Sequence, residues 1–196
     1  MARRSDHTRE ELRTLILDAA HAHMAKVGFS RFSIREIAPT IGYSGGTIHN
    51  VFGSADALIA AVNTRTFALW AEHVDDALTQ SDASPVDTLV SAYFDFARTN
   101  RNLWGAIYEH KPADVRVIDE DQQRDRARLT GIVARIVASV LPEVRRADAE
   151  RLTRSLIATV HGHCSLELGG SYALMGGDDA RGEALERVRE ILAAPS

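Results

Sequence analysis

Two groups of residues have types and spacings that could do chemistry. The first is Gly42-Tyr43-Ser44-Gly45-Gly46, a match to G-x-S-x-G, the nucleophile elbow of serine hydrolases. In that role Ser44 would attack an acyl carbon, and it would need a buried strand before it and a helix after it. The second is His161, His163, Cys164 and Glu167, all of metal-ligating type. Their i, i+2 and i, i+3 spacing lacks a second cluster to complete a tetrahedral site. The chain also has no His-Glu-x-x-His and no Glu-x-x-His, the di-iron bundle motif. No metal and no cofactor is therefore expected. His161 is expected either to line a pocket or to satisfy a hydrogen bond in a helical core.

The elements that must position Ser44 decide the first question. The preceding stretch SIREIAPTIG carries Ile34, Ile37, Ala38 and Ile41 at spacings of three or four, a helical period and not a strand. Ser33 and Glu36 have the spacing of a capping box. Gly42 supplies a left-handed stop. Pro39 lies inside this helix, removes one backbone bond and is expected to distort the last turn. Ser44 then caps a second short helix from Gly45 to Val51. Two short helices joined by a glycine turn make a helix-turn-helix. Ile48 and Phe52 face inward, while Thr47, His49 and Asn50 face outward, where a recognition helix meets the major groove. Every residue of the elbow pattern thus has a non-catalytic use, and no enzyme is expected. A serine hydrolase remains as a rival reading.

The rest of the chain reads as helix. Apolar residues in 8–27 recur as Leu12, Ile16, Ala19, Met24 and Val27, and Gly28 stops them. Ser54 caps a long helix running to about Thr79. Further helices are expected near 86–99, 102–110, 120–141, 147–174 and 180–194, with Pro112 and Pro142 in the breaks. Aromatic content is only 6%, which with abundant Ala and Leu favours helices over a sandwich of strands. The expected fold class is all-α, in two parts: 1–53, three helices with the helix-turn-helix, and 54–196, a helical body.

Charge divides the same way. Residues 1–53 hold 7 Lys and Arg against 5 Asp and Glu; the remainder holds 16 against 22. A mildly basic head on an acidic body suits a module that faces a polyanion. Cys164 is the single cysteine, so no internal disulfide is possible, and a reducing cytoplasm is the simplest setting. No apolar segment follows the basic N-terminus to make a signal peptide, and no window approaches a membrane span.

FSIREIAPTIGYSGGTIHNVFGSADALIAAV resembles the N-terminal domain of TetR-type transcriptional regulators. The likeness rests on Ser33, Ile37, Ala38, Gly42, Ser44, Gly46, Thr47, Ile48, Phe52, Ser54 and Leu58. It implies that Arg35, Ser44, Gly45, Thr47, His49 and Asn50 belong to a DNA-binding surface on double-stranded DNA, with Ser44, Thr47 and His49 at phosphate or groove and Asn50 able to read an adenine edge. Arg3 and Arg4 could form an arm along the backbone. The chain departs from the pattern at His49 (usually Tyr), Gly45 (usually a side chain that touches bases), Ala55 (usually Lys) and Pro39. The operator should therefore differ from those of relatives. LIATVHGHCSLELGG and NLWGAIYEHKPAD are similar to the C-terminal domain of a branch named for a Trp-His-Gly motif, with Ile157 in place of the Trp. The resemblance implies a homodimer, most simply a repressor on a palindromic operator, released by a small-molecule effector. Trp70, Phe94, Trp104, Tyr108, His161 and Cys164 are the expected effector-binding residues. One helical stripe, Leu152, Ser155, Thr159, Gly162, Leu166, Gly169 and Ala173, is the expected dimer face, with 180–194. A helical ligand-binding protein whose head no longer binds DNA is the second rival.

Overall fold

The computed structural model describes residues 7–112 and 118–194, so the Arg3 and Arg4 arm lies outside the described residues. The described residues form α-helices and short 3-10 turns, with no strand among them. The helices are α1 (Arg9–Val27), α2 (Ile34–Thr40), α3 (Gly45–Phe52), α4 (Ala55–Gln80), α5 (Pro85–Thr99), α6 (Arg101–Glu109), α7 (Glu120–Val140), α8 (Ala149–Leu168), α9 (Ser171–Leu174) and α10 (Ala180–Ala193). No helix is long and apolar enough to cross a membrane. The chain divides into two compact units: Met1–Thr66 with Asn102–Arg124, and Phe67–Arg101 with Asp125–Ser196.

In the first unit, α1 starts on a capping box. The Thr8 hydroxyl accepts from the Glu11 backbone N–H at 3.2 Å, and the Glu11 carboxylate accepts from the Thr8 N–H at 2.7 Å. That reciprocal pair satisfies two otherwise unpaired donors and holds the Glu11 carboxyl below the usual carboxylate range. Gly28 ends α1 at φ 77°, and the Asn102 amide donates to the Ala25 carbonyl at 2.8 Å to close it. The helix buries Ile16, Ala20 and Met24 against Ile37 and Ala38 of α2, Ile48 and Phe52 of α3, Leu58 and Val62 of α4, and Leu103 and Ala106 of α6. Each large apolar side chain so buried contributes roughly 1.5–3 kcal/mol. The position of α3 is thereby set by a core and not by its own propensity, which an eight-residue helix could not supply alone.

In the second unit, α8 packs on α10, and both pack on α5. Here the expected helix over 147–174 is corrected. It ends at Leu168, Gly170 takes φ 77°, and the short α9 follows. The glycine pair permits a left-handed step that other residues resist, so the helical period running through it in the sequence does not continue in space. Of the expected stripe, Leu152, Ser155, Thr159, Gly162 and Leu166 lie along one side of α8, while Gly169 and Ala173 lie beyond its end. At the other end of this unit, Arg145 is buried and donates to the carbonyls of Ile191, Leu192 and Ala194. Its guanidinium thus closes the C-terminus of α10, where a cation suits the helix dipole.

Candidate functional site

Ser44 is a helix cap. Its hydroxyl accepts from the Thr47 backbone N–H at 3.2 Å and shares a further hydrogen bond with the Thr47 hydroxyl at 3.1 Å. The element before it is α2 and a turn, not a strand, so the geometry of a nucleophile elbow is not present. The turn closes as a Schellman motif: the Gly42 N–H donates to the Pro39 carbonyl and the Tyr43 N–H to the Ala38 carbonyl. Gly42 takes φ 75°, the conformation this closure demands. Pro39 sits in the last turn of α2, as expected, and its carbonyl serves that closure.

The expected capping box of α2 does not form. Ser33 makes no side-chain cap bond, and the Glu36 carboxylate lies 3.8 Å from His23 Nε2 of α1 instead. An imidazole on another helix, and not Ser33, is the group that the Glu36 side chain approaches. The box that does form, at Thr8 and Glu11, carries the same S/T-x-x-E signature, as Thr8-Arg9-Glu10-Glu11, and sequence reasoning missed it.

On α3, Ile48 and Phe52 are buried, and His49 and Asn50 are exposed. Thr47 and Gly45 are half-buried, Ser44 and Gly46 exposed, and Arg35 is exposed on α2. A Cβ at Gly45 would stand 3.9 Å from Ile34, an ordinary contact, so a side chain fits there. The exposed side of α3 thus carries hydroxyl, imidazole and amide groups with no carboxylate among them. Sequence reasoning missed Tyr43 as part of this surface: its hydroxyl shares a 3.3 Å hydrogen bond with His7 Nδ1.

The expected effector residues fall in both units. Trp70, Phe94, His161 and Cys164 lie in the second; Trp104 and Tyr108 lie in the first, with ring centroids 5.1 Å apart. In the second unit, Trp70 is stacked on Phe96 at 5.0 Å and meets the edge of Tyr93 at 4.8 Å. The Tyr93 hydroxyl bonds His161 Nδ1 at 3.0 Å, and burial lowers the His161 pKa. Burial also pushes the Cys164 thiol up to about 12, with Glu167 adding to the effect, so this sulfur is a poor thiolate. His163 bonds the Thr159 carbonyl, and Glu167 binds Arg98 through both oxygens at 2.8 Å. Of the four residues that suggested a metal, His161, His163 and Glu167 each have another partner, and Cys164 is a buried free thiol. Trp70 Nε1 and His73 Nε2 are buried with no hydrogen-bond partner.

Comparison with known proteins decides the family. Residues 16–62 match a model described as bacterial regulatory proteins, tetR family, and residues 86–191 match a tetracyclin repressor-like C-terminal domain. The chain belongs to the tetR family. It is a DNA-binding transcriptional regulator with a helix-turn-helix formed by α2 and α3. The tetR description of its body is general, and it does not name the Trp-His-Gly branch. No curated protein matches the chain. Among solved structures, a Rhodococcus sp. RHA1 protein of unknown function is similar at TM-score 0.72 and 23% identity, over 98% of this chain and 100% of that one. The multidrug binding protein EbrR, complexed with imidazole, is similar at TM-score 0.63 and 20% identity, over 97% and 98%. RolR, in complex with resorcinol, is similar at TM-score 0.64 and 20% identity, over 95% of each. These likenesses show the tetR-type fold along nearly the whole chain.

Proposed function

We propose that this tetR-family regulator is a repressor that binds a palindromic operator as a homodimer and leaves it when a small-molecule effector enters its helical body. The observation that carries the DNA side is the exposed face of α3, held outward by buried Ile48 and Phe52. Ser44, Gly45, Thr47, His49 and Asn50 form this face, and Arg35 of α2 is an exposed cation on the same motif. Residues 1–53 carry this role, and 54–196 carry effector binding and dimerisation. The simplest setting remains the cytoplasm.

For the effector, Trp70, Phe94, His161 and Cys164 offer an apolar, aromatic interior with one polar pair, the kind of lining that small organic ligands use. Trp104 and Tyr108 form an aromatic pair on α6, within the first unit. The imidazole and resorcinol complexes of EbrR and RolR support a small flat ligand. For the dimer, Leu166 and Met175 line a hollow of about 580 Å³ with Gly162, His163 and Tyr172, and Leu174 is 89% exposed. Such apolar exposure on one side of a body suits a second copy. An effector that favours a dimer with its two recognition helices at the wrong separation would release the DNA. By linkage, DNA must then weaken the effector by the same factor.

The test is selection of random duplexes by the purified protein, alongside a Thr47→Ala/His49→Ala variant. Enrichment of a palindrome, lost in the variant, is the expected result. No enrichment at low salt would sink the DNA reading and leave a helical ligand-binding protein.

A further inference from the structure

Two groups on or beside α1 stand at opposite ends of α3, and neither belongs to the helix-turn-helix. At the N-terminal end, His7 is held against Tyr43, the residue before the Ser44 cap, by the 3.3 Å hydrogen bond and an edge-on ring contact of 6.5 Å. Both sides of that contact are rigid. Tyr43 is fixed by its backbone bond to Ala38, and the chain leaving His7 is fixed by the Thr8 and Glu11 capping box. At the C-terminal end, the Arg13 guanidinium lies 4.4 Å over the ring of Phe52, the last residue of α3. Arg13 is exposed and forms no ion pair among the described residues. Arginines of the second unit such as Arg98, Arg128 and Arg189 are instead bound to carboxylates.

The spacing gives these two groups a use. An α3 of 8 residues is about 12 Å long. The major groove is also about 12 Å wide, with a phosphate chain along each wall. We propose that His7 and Arg13 are phosphate contacts on the two walls of the groove that receives α3, so that α1 clamps the backbone while α3 faces the bases. Stacking on Phe52 leaves the edge of the Arg13 guanidinium, with its N–H donors, free for a phosphate. An imidazole N–H is a donor suited to a phosphate oxygen.

This inference rests on the DNA-binding reading, and the experiment separates the two. Binding to a short fluorescein-labelled duplex of random sequence is measured by anisotropy from about 50 to 200 mM salt. The slope of log affinity against log salt counts the phosphates neutralised. Arg13→Gln should flatten it by about 0.9, and His7→Ala, which removes the donor, should weaken binding at every salt concentration. Arg13→Lys keeps the charge and should keep the slope, which separates charge from folding. Arg124→Gln, on exposed α7, should leave it unchanged. A wild-type slope in Arg13→Gln or wild-type affinity in His7→Ala, with binding still weakened by Thr47→Ala/His49→Ala, would overturn the clamp and leave the reading standing. A wild-type protein with no affinity for the duplex at low salt would overturn both.

Discussion

Ser44 shows how one residue can carry a catalytic pattern and a structural job. Its hydroxyl is committed to the Thr47 N–H, so Ser44→Ala should destabilise the protein by about 0.5–2 kcal/mol, the usual worth of such a cap. Denaturant unfolding would measure this. Esterase activity that vanished in the variant would instead revive the hydrolase. Titration belongs to this scale too. Burial lowers the His161 pKa; burial, then the nearby Arg65, lowers that of His21. Both imidazoles resist protonation in the folded chain, while the unfolded chain accepts a proton near the ordinary value of about 6.5. Stability should therefore fall as pH drops below about 6.5 and level off below the folded values. Thermal midpoints from neutral to acid pH would show this, and His161→Gln should flatten the curve. A midpoint independent of pH over that range would contradict both shifts.

Among elements, α10 depends on a residue distant in sequence. Arg145→Met removes the donors to three carbonyls at its C-terminus and should cost about 1–3 kcal/mol, measurable as a shifted unfolding midpoint. Gly42→Ala forces a side chain into positive φ, where nothing crowds it but the backbone itself resists; about 1 kcal/mol is expected. Helices α1 to α4 were legible in the sequence because local chemistry marked their ends: Gly28, Gly42, Ser44 and Ser54 each do what their types imply. The Ser33 box was misread because its Glu36 is near His23, a contact between helices that no local pattern contains. The helix over 147–174 was read too long because apolar spacing passes through Gly169 and Gly170 without recording their backbone freedom. Trp104 and Tyr108 were grouped with the body by position along the chain, yet α6 returns them to the unit that holds α3.

For the whole molecule, the proposed dimer makes a demand on the second unit. Leu174→Asp with Met175→Asp replaces exposed apolar groups and should leave each protomer folded. Sedimentation should then show monomers at concentrations where the wild type is paired, with weaker operator binding. A variant that sediments as the wild type would place the dimer face elsewhere. The two compact units also carry a built-in optical division of labour. The sequence holds two tryptophans; Trp104 lies in the first unit and Trp70 in the second. Trp70 is 2% exposed, against Phe96 and Tyr93; Trp104 packs on Tyr108, which is 40% exposed. With Trp104→Phe, the remaining emission comes from the second unit alone; with Trp70→Phe, it comes from the unit that holds α3. Two single-tryptophan proteins would thus let fluorescence follow each unit separately, without an attached dye.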